Sequence, residues 1–157
     1  MAGSPFRFKA SFSGGGPNAA ITSDGKYLLV SGNNGVTTLV IGSDGVPSLQ
    51  GQTSLVNNDG AIIALNPTQP FAYVWGQTQN VLSVIRVVDG NTVPVPGGDI
   101  YCDNGSLAID PTGHYLYATG GLDTLVFSID QTTGLLTQVS SSPAVKGGPS
   151  VIVAPSR

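Results

Sequence analysis

The chain has 157 residues, 40% hydrophobic and only 10% charged, with 22 Gly, 11 Pro and one Cys. A net charge of −3 with six scattered basic residues excludes the clustered cationic face that nucleic acid requires. No apolar run approaches the roughly 18–20 residues of a membrane-spanning helix, and a lone cysteine excludes an intrachain disulfide or a cysteine-based zinc site.

At the start, Met1-Ala2-Gly3-Ser4-Pro5 lacks a basic region followed by an apolar stretch, so no signal peptide is expected. The low charge and the wealth of Ser, Thr, Asn and Gly nevertheless suit a secreted or cell-surface protein, with the cytoplasm left open. Phe6, Phe8, Ala10 and Phe12 alternate with Arg7, Lys9 and Ser11, the period of a strand. Gly14-Gly15-Gly16-Pro17 has no Gly-Lys-Ser/Thr after it and reads as a linker, a place that Gly148-Pro149 holds at the other end.

From there a unit of 44 residues recurs. Ser23, Pro67, Pro111 and Pro155 are its anchors, and Ala20, Ala64 and Ala108 share one register. The first unit runs Asn18–Ile21, turn Ser23-Asp24-Gly25, Tyr27–Val30, turn Asn33-Asn34-Gly35, Val36–Ile41, turn Ser43-Asp44-Gly45, then Ser48 onward. Asp-Gly and Asn-Gly favour tight turns because these residues tolerate positive φ. Ala72–Trp75 and Leu116–Thr119 fill the second-strand slot of the later units, and Val81–Val88 and Thr124–Ile129 the third. All nine acidic residues are Asp and Glu is absent, which argues against helices.

Four antiparallel strands in about 44 residues is the pattern of a β-propeller blade. Tyr27-Leu28-Leu29-Val30 is apolar on both faces, as a sheet held between two neighbours must be. A β-solenoid is the alternative, but its coils are shorter. The expected fold is all-β, a single propeller segment over residues 1–157, with units at about 16–59, 60–103 and 104–147 and the start of another at 148–157. Three blades cannot close a ring, so the unfinished ends should drive association into a homo-oligomer or polymer. Phe6, Phe8 and Phe12 at one end and Val151, Ile152 and Val153 at the other are the expected assembly edges.

Chemistry is sparsely signalled. His114, the single histidine, occupies a turn slot that Lys26 and Pro70 fill in the other units, and is expected as a solvated hairpin residue. Asp24, Asp44, Asp59 and Asp89 each precede Gly, which a turn explains. Asp99, Asp103 and Asp110 could form a loose acidic site, but no alternating oxygen ligands of a calcium loop occur, and no metal or cofactor is expected. Asn104-Gly105-Ser106 is a glycosylation sequon that also reads as a turn, and Cys102 reads as a small buried residue. Trp75, Tyr73 and Tyr101 are the candidates for a sugar-binding surface, set against their use in packing.

Ser23-Asp24-Gly25-Lys26-Tyr27-Leu28, Asp110-Pro111-Thr112-Gly113-His114-Tyr115-Leu116-Tyr117-Ala118 and Phe127-Ser128-Ile129-Asp130-Gln131-Thr132-Thr133-Gly134 resemble the lactonase-type seven-bladed β-propeller repeats. That group includes 6-phosphogluconolactonase-like and YVTN-type proteins. The resemblance implies the propeller fold and, in a completed propeller, lactone hydrolysis. It carries over no catalytic residue, because its motifs specify turns and strand ends. The first functional reading is a non-catalytic structural or interaction module that self-assembles. The alternatives are a lactonase-type hydrolase in a completed propeller and a carbohydrate- or ligand-binding propeller.

Overall fold

Three antiparallel sheets stand side by side, each entered from its inner strand. The computed structural model describes residues 18–32, 35–56, 58–60, 62–103, 105–120 and 123–143, and these form thirteen strands and no helix. The first sheet is β1 (Asn18–Ile21), β2 (Tyr27–Gly32), β3 (Gly35–Ile41) and β4 (Pro47–Ser54), paired in chain order. The second is β5 (Ile62–Leu65), β6 (Phe71–Gly76), β7 (Val81–Val88), β8 (Asn91–Pro94) and β9 (Ile100–Tyr101). The third is β10 (Ser106–Ile109), β11 (Tyr115–Gly120), β12 (Asp123–Ile129) and β13 (Leu136–Pro143), again in chain order. This is the incomplete propeller that the repeat predicts. The expected assembly edges Phe6, Phe8, Phe12, Val151, Ile152 and Val153 lie outside the described residues.

Meandering order follows from the turns. Asp24 Oδ1 accepts the Lys26 N–H at 3.1 Å, Asp44 Oδ1 accepts that of Val46 at 3.0 Å, and Asp130 Oδ1 accepts that of Thr132 at 2.9 Å. Each carboxylate thus closes a turn on its own backbone, the role the sequence assigns to such aspartates. The second blade lacks an Asp-Gly here, and Asn66 Oδ1 takes over by accepting the Thr68 and Gln69 N–H groups at 2.9 and 3.0 Å. Its outer strand is split into β8 and β9, which both pair with β7. Pro94 and Pro96 fall at the break, where a missing N–H cannot continue a ladder.

Alternation along the second and third strands gives every blade two dry faces. Between blades one and two, Leu29 and Val36 meet Ala72, Val74 and Ile85. Between blades two and three, Phe71, Tyr73, Trp75, Leu82 and Val84 meet Leu116, Ala118, Phe127 and Ile129. All six residues of β6 are buried. An aromatic ring at the foot of each seam sits on a glycine of the following blade. A Cβ on Gly134 would lie 2.5 Å from the Phe71 ring, and one on Gly90 would overlap the Tyr27 ring.

The fully exposed end faces that an unfinished propeller should present are not found on the described blades. On the first blade's outer face, Val30 and Leu39 are buried, at 7% and 0% exposure. On the third, Thr119 is buried and Tyr117 half-buried, while Tyr115 is 44% exposed.

Candidate functional site

The two ends of the blade array differ. At one end lie the β1–β2, β5–β6 and β10–β11 turns with the third-to-fourth-strand turns. At the other lie the loops that carry the chain from one blade into the inner strand of the next, together with the β6–β7 loop. Asn58, which precedes the inner strand β5, is buried; its Nδ2 donates to Val74 O, Val81 O and Ser83 Oγ at 2.8, 3.0 and 2.9 Å. Its Oδ1 accepts the Gly60 N–H at 2.8 Å, so every polar atom of the amide is used to pin this loop on the second blade.

Asp59 follows Asn58 and reaches across to the β6–β7 loop. Its Oδ2 accepts the Thr78 N–H at 3.0 Å and also the Thr78 hydroxyl. Its Oδ1 is enclosed beside Gly76 without a hydrogen-bond partner. Asp103 stands 44 residues later, at the same place before β10, and is exposed. Asp123, paired with Gly120 at the start of β12, is a third carboxylate at this end. The described basic side chains are at the opposite end: Lys26 and His114 in turns, and Arg86 paired with Phe71 at the foot of β6. Among the described residues no three of His, Cys, Asp or Glu come together in a metal-holding group.

The aromatic candidates are separated by burial. Tyr73 is 0% exposed and its hydroxyl donates to Gly134 O at 3.0 Å; burial pushes its phenol well above the usual range. Trp75 is 6% exposed and its Nε1 donates to Cys102 O at 2.7 Å. Both fill the seam between blades two and three, so they offer no face to a sugar. Tyr101 is 72% exposed on β9 and stands apart from them. Cys102 is buried, in keeping with its expected packing role.

The loose acidic site also falls apart. Asp103 and Asp110 flank β10 on opposite ends, so the length of the strand keeps them apart. Burial disfavours the Asp110 charge, but hydrogen bonds from the Thr112 side chain and the Tyr115 and Thr112 N–H groups outweigh it and hold its pKa below the ordinary value. His114 is exposed, with Nδ1 3.0 Å from Thr112 Oγ1, in the hairpin position expected of it.

Solved structures share this architecture. A candidate 6-phosphogluconolactonase from Bacteroides uniformis superposes with a TM-score of 0.80 at 19% identity, over 94% of this chain and 49% of that one. The fold is that of part of a β-propeller. A candidate 6-phosphogluconolactonase from Bacteroides fragilis matches the partial propeller with a TM-score of 0.77 at 23% identity, over 93% of this chain and 44% of its own. The periplasmic gluconolactonase of Pseudomonas aeruginosa gives 0.60 at 19% identity, over 83% and 43%. The partial propeller therefore spans about half the length of the structures it matches. No family model and no curated protein matches the sequence.

Asn58 and the Asp59–Thr78 tie were not picked out from the sequence. Asp59 precedes Gly like the turn aspartates, and only the fold shows that it bonds a residue 19 positions away.

Proposed function

We propose that this chain forms part of the wall of a lactonase-type hydrolase, active where the propeller is complete, and that Asp59 and Asp103 carry its chemistry. The observation behind this reading is their placement. Two carboxylates occupy the same position in successive blades, each before an inner strand, in a fold shared with lactonase-type proteins. In ring opening, water attacks the lactone carbonyl and gives its proton to a carboxylate. The ring C–O bond then breaks, and the released alkoxide takes that proton back to give a hydroxy acid. The described loop end holds carboxylates and no basic side chain, so these blades favour an uncharged lactone over a phosphorylated one.

The test is acid release from glucono-δ-lactone by the protein in a closed propeller, made of several copies or with the further blades supplied, with spontaneous hydrolysis subtracted. Asp59→Asn and Asp103→Asn are expected to lower kcat by about 10²–10⁴-fold while leaving the melting temperature in place. A wild-type rate no faster than the spontaneous one would end the proposal.

A second reading is a non-catalytic module that associates with further copies through its outer blade faces. Tyr115 favours it. Tyr27 and Phe71, the corresponding rings of the first two blades, each cover a glycine of the next blade, whereas Tyr115 is 44% exposed. The burial of Val30 and Leu39 on the outer face of the first blade weighs against it.

A further inference from the structure

The two seams between described blades should be alike, because they join equivalent turns, but at the turn end they are not. In the seam between blades two and three, Asn66 Nδ2 donates across to Gly113 O at 2.9 Å and Thr68 Oγ1 donates to Thr112 O at 3.2 Å. Gln131, from the longer turn after β12, also donates to Gly113 O at 3.0 Å. The place between the turns is filled.

One repeat earlier, two substitutions and a shorter turn remove these cross-seam bonds. Thr22 stands where Asn66 does, 44 residues on, and its hydroxyl turns back to its own loop, donating to Asp24 Oδ1 at 2.7 Å. Gln69 replaces Gly113, and the turn after β7 is shortened to Asp89-Gly90, both at positive φ of 50° and 74°, so nothing like Gln131 reaches in. A cleft of about 340 Å³ remains between the turns of blades one and two. That is the lower range of small-molecule sites, which run about 300–1,000 Å³.

We infer that this cleft is a binding site for a neutral sugar of monosaccharide size. Its lining pairs hydrogen-bond donors and acceptors, among them Ser23, Gln69 and Asp89, with an apolar side formed by Tyr27, Pro70 and Val87. Lys26 is 3.5 Å from Asp24, which leaves Asp89 without a cation of its own in the lining. An anionic ligand would meet that carboxylate, and an apolar one would strip hydroxyls and amides of water without replacing their hydrogen bonds. A polyol meets both demands, because each hydroxyl both donates and accepts. The site is at the opposite end of the blades from Asp59 and Asp103 and does not rest on hydrolysis there.

The experiment is a ¹H–¹⁵N titration of the protein with D-glucose, D-galactose and N-acetylglucosamine, with gluconate as the anionic control. Saturable shifts confined to Thr22–Tyr27 and Leu65–Gly90 are expected for at least one neutral sugar, with Kd in the millimolar range, about 1–10 mM, and none for gluconate. The double variant T22N/Q69G installs the residues of the filled seam and should weaken binding at least about tenfold without lowering the melting temperature. Should that variant fold poorly, Asp89→Asn, an exposed change, should weaken binding about fivefold in a protein of unchanged stability. Absence of saturable shifts with all three sugars up to about 100 mM, or undiminished binding in a folded variant, overturns the inference.

Discussion

Gly45 and Gly134 hold the same backbone angle, φ of 77° and 75°, in equivalent turns of the first and third blades. Only Gly134 has a ring against it: a Cβ there would lie 2.5 Å from Phe71, whereas one on Gly45 meets nothing within 4 Å. The pair therefore separates two costs that usually come together. Gly45→Ala should lose about 1 kcal/mol, the penalty of a side chain at positive φ. Gly134→Ala should lose roughly 2–4 kcal/mol, because Phe71 must also move within a packed seam. Urea unfolding of the two variants reads the difference, and equal losses would show that the seam yields freely. Both glycines stand out in the sequence as turn residues; the ring that makes one of them critical belongs to another blade.

At the level of the strand, the repeat reveals almost everything that is local. The 44-residue period, the all-apolar run of β6 and the turn aspartates are short-range patterns, and each survives in the fold. What could not be read is what crosses between elements. Asn58 is one polar residue in a polar loop, yet it satisfies two carbonyls of neighbouring strands and the Ser83 hydroxyl. Tyr73 and Trp75 alternate in β6 like any aromatic strand residues, and burial alone decides that they pack rather than bind. Asn58→Ala should strand those acceptors and free the loop that carries Asp59, costing on the order of 2–3 kcal/mol. Thermal melting measures that loss, and faster amide exchange at Gly60 and Thr78 should accompany it. An unchanged melting temperature would mean that water replaces the amide there.

Across the molecule, the architecture was legible because one unit repeats and a propeller is the way such sheets stack; the extent of the ends was not. The expectation of bare, sticky faces treated each blade as ending where its pattern ends. Val30 and Leu39, on the outer face of the first blade, are nevertheless buried. If Tyr115 still seeks a glycine, association should be weak and specific to that ring. Light scattering at micromolar concentration should then show a mass above that of one chain, returning to one chain in Tyr115→Ser. A single-chain mass at all concentrations removes the self-assembling reading, and with it a hydrolase completed by further copies of this chain.

The acidic rim at the loop end reaches further than any contact. Asp59, Asp103 and Asp123 stand there with no basic side chain among the described residues, while at the turn end Lys26 and Arg86 stand among Asp24, Asp44, Asp89, Asp110 and Asp130. The field of that rim acts over about 8 Å in physiological salt, enough to slow anions drifting toward it before they touch it. A hydroxy acid formed at that rim would be an anion from the moment its ring opened, and the same field would hasten its departure.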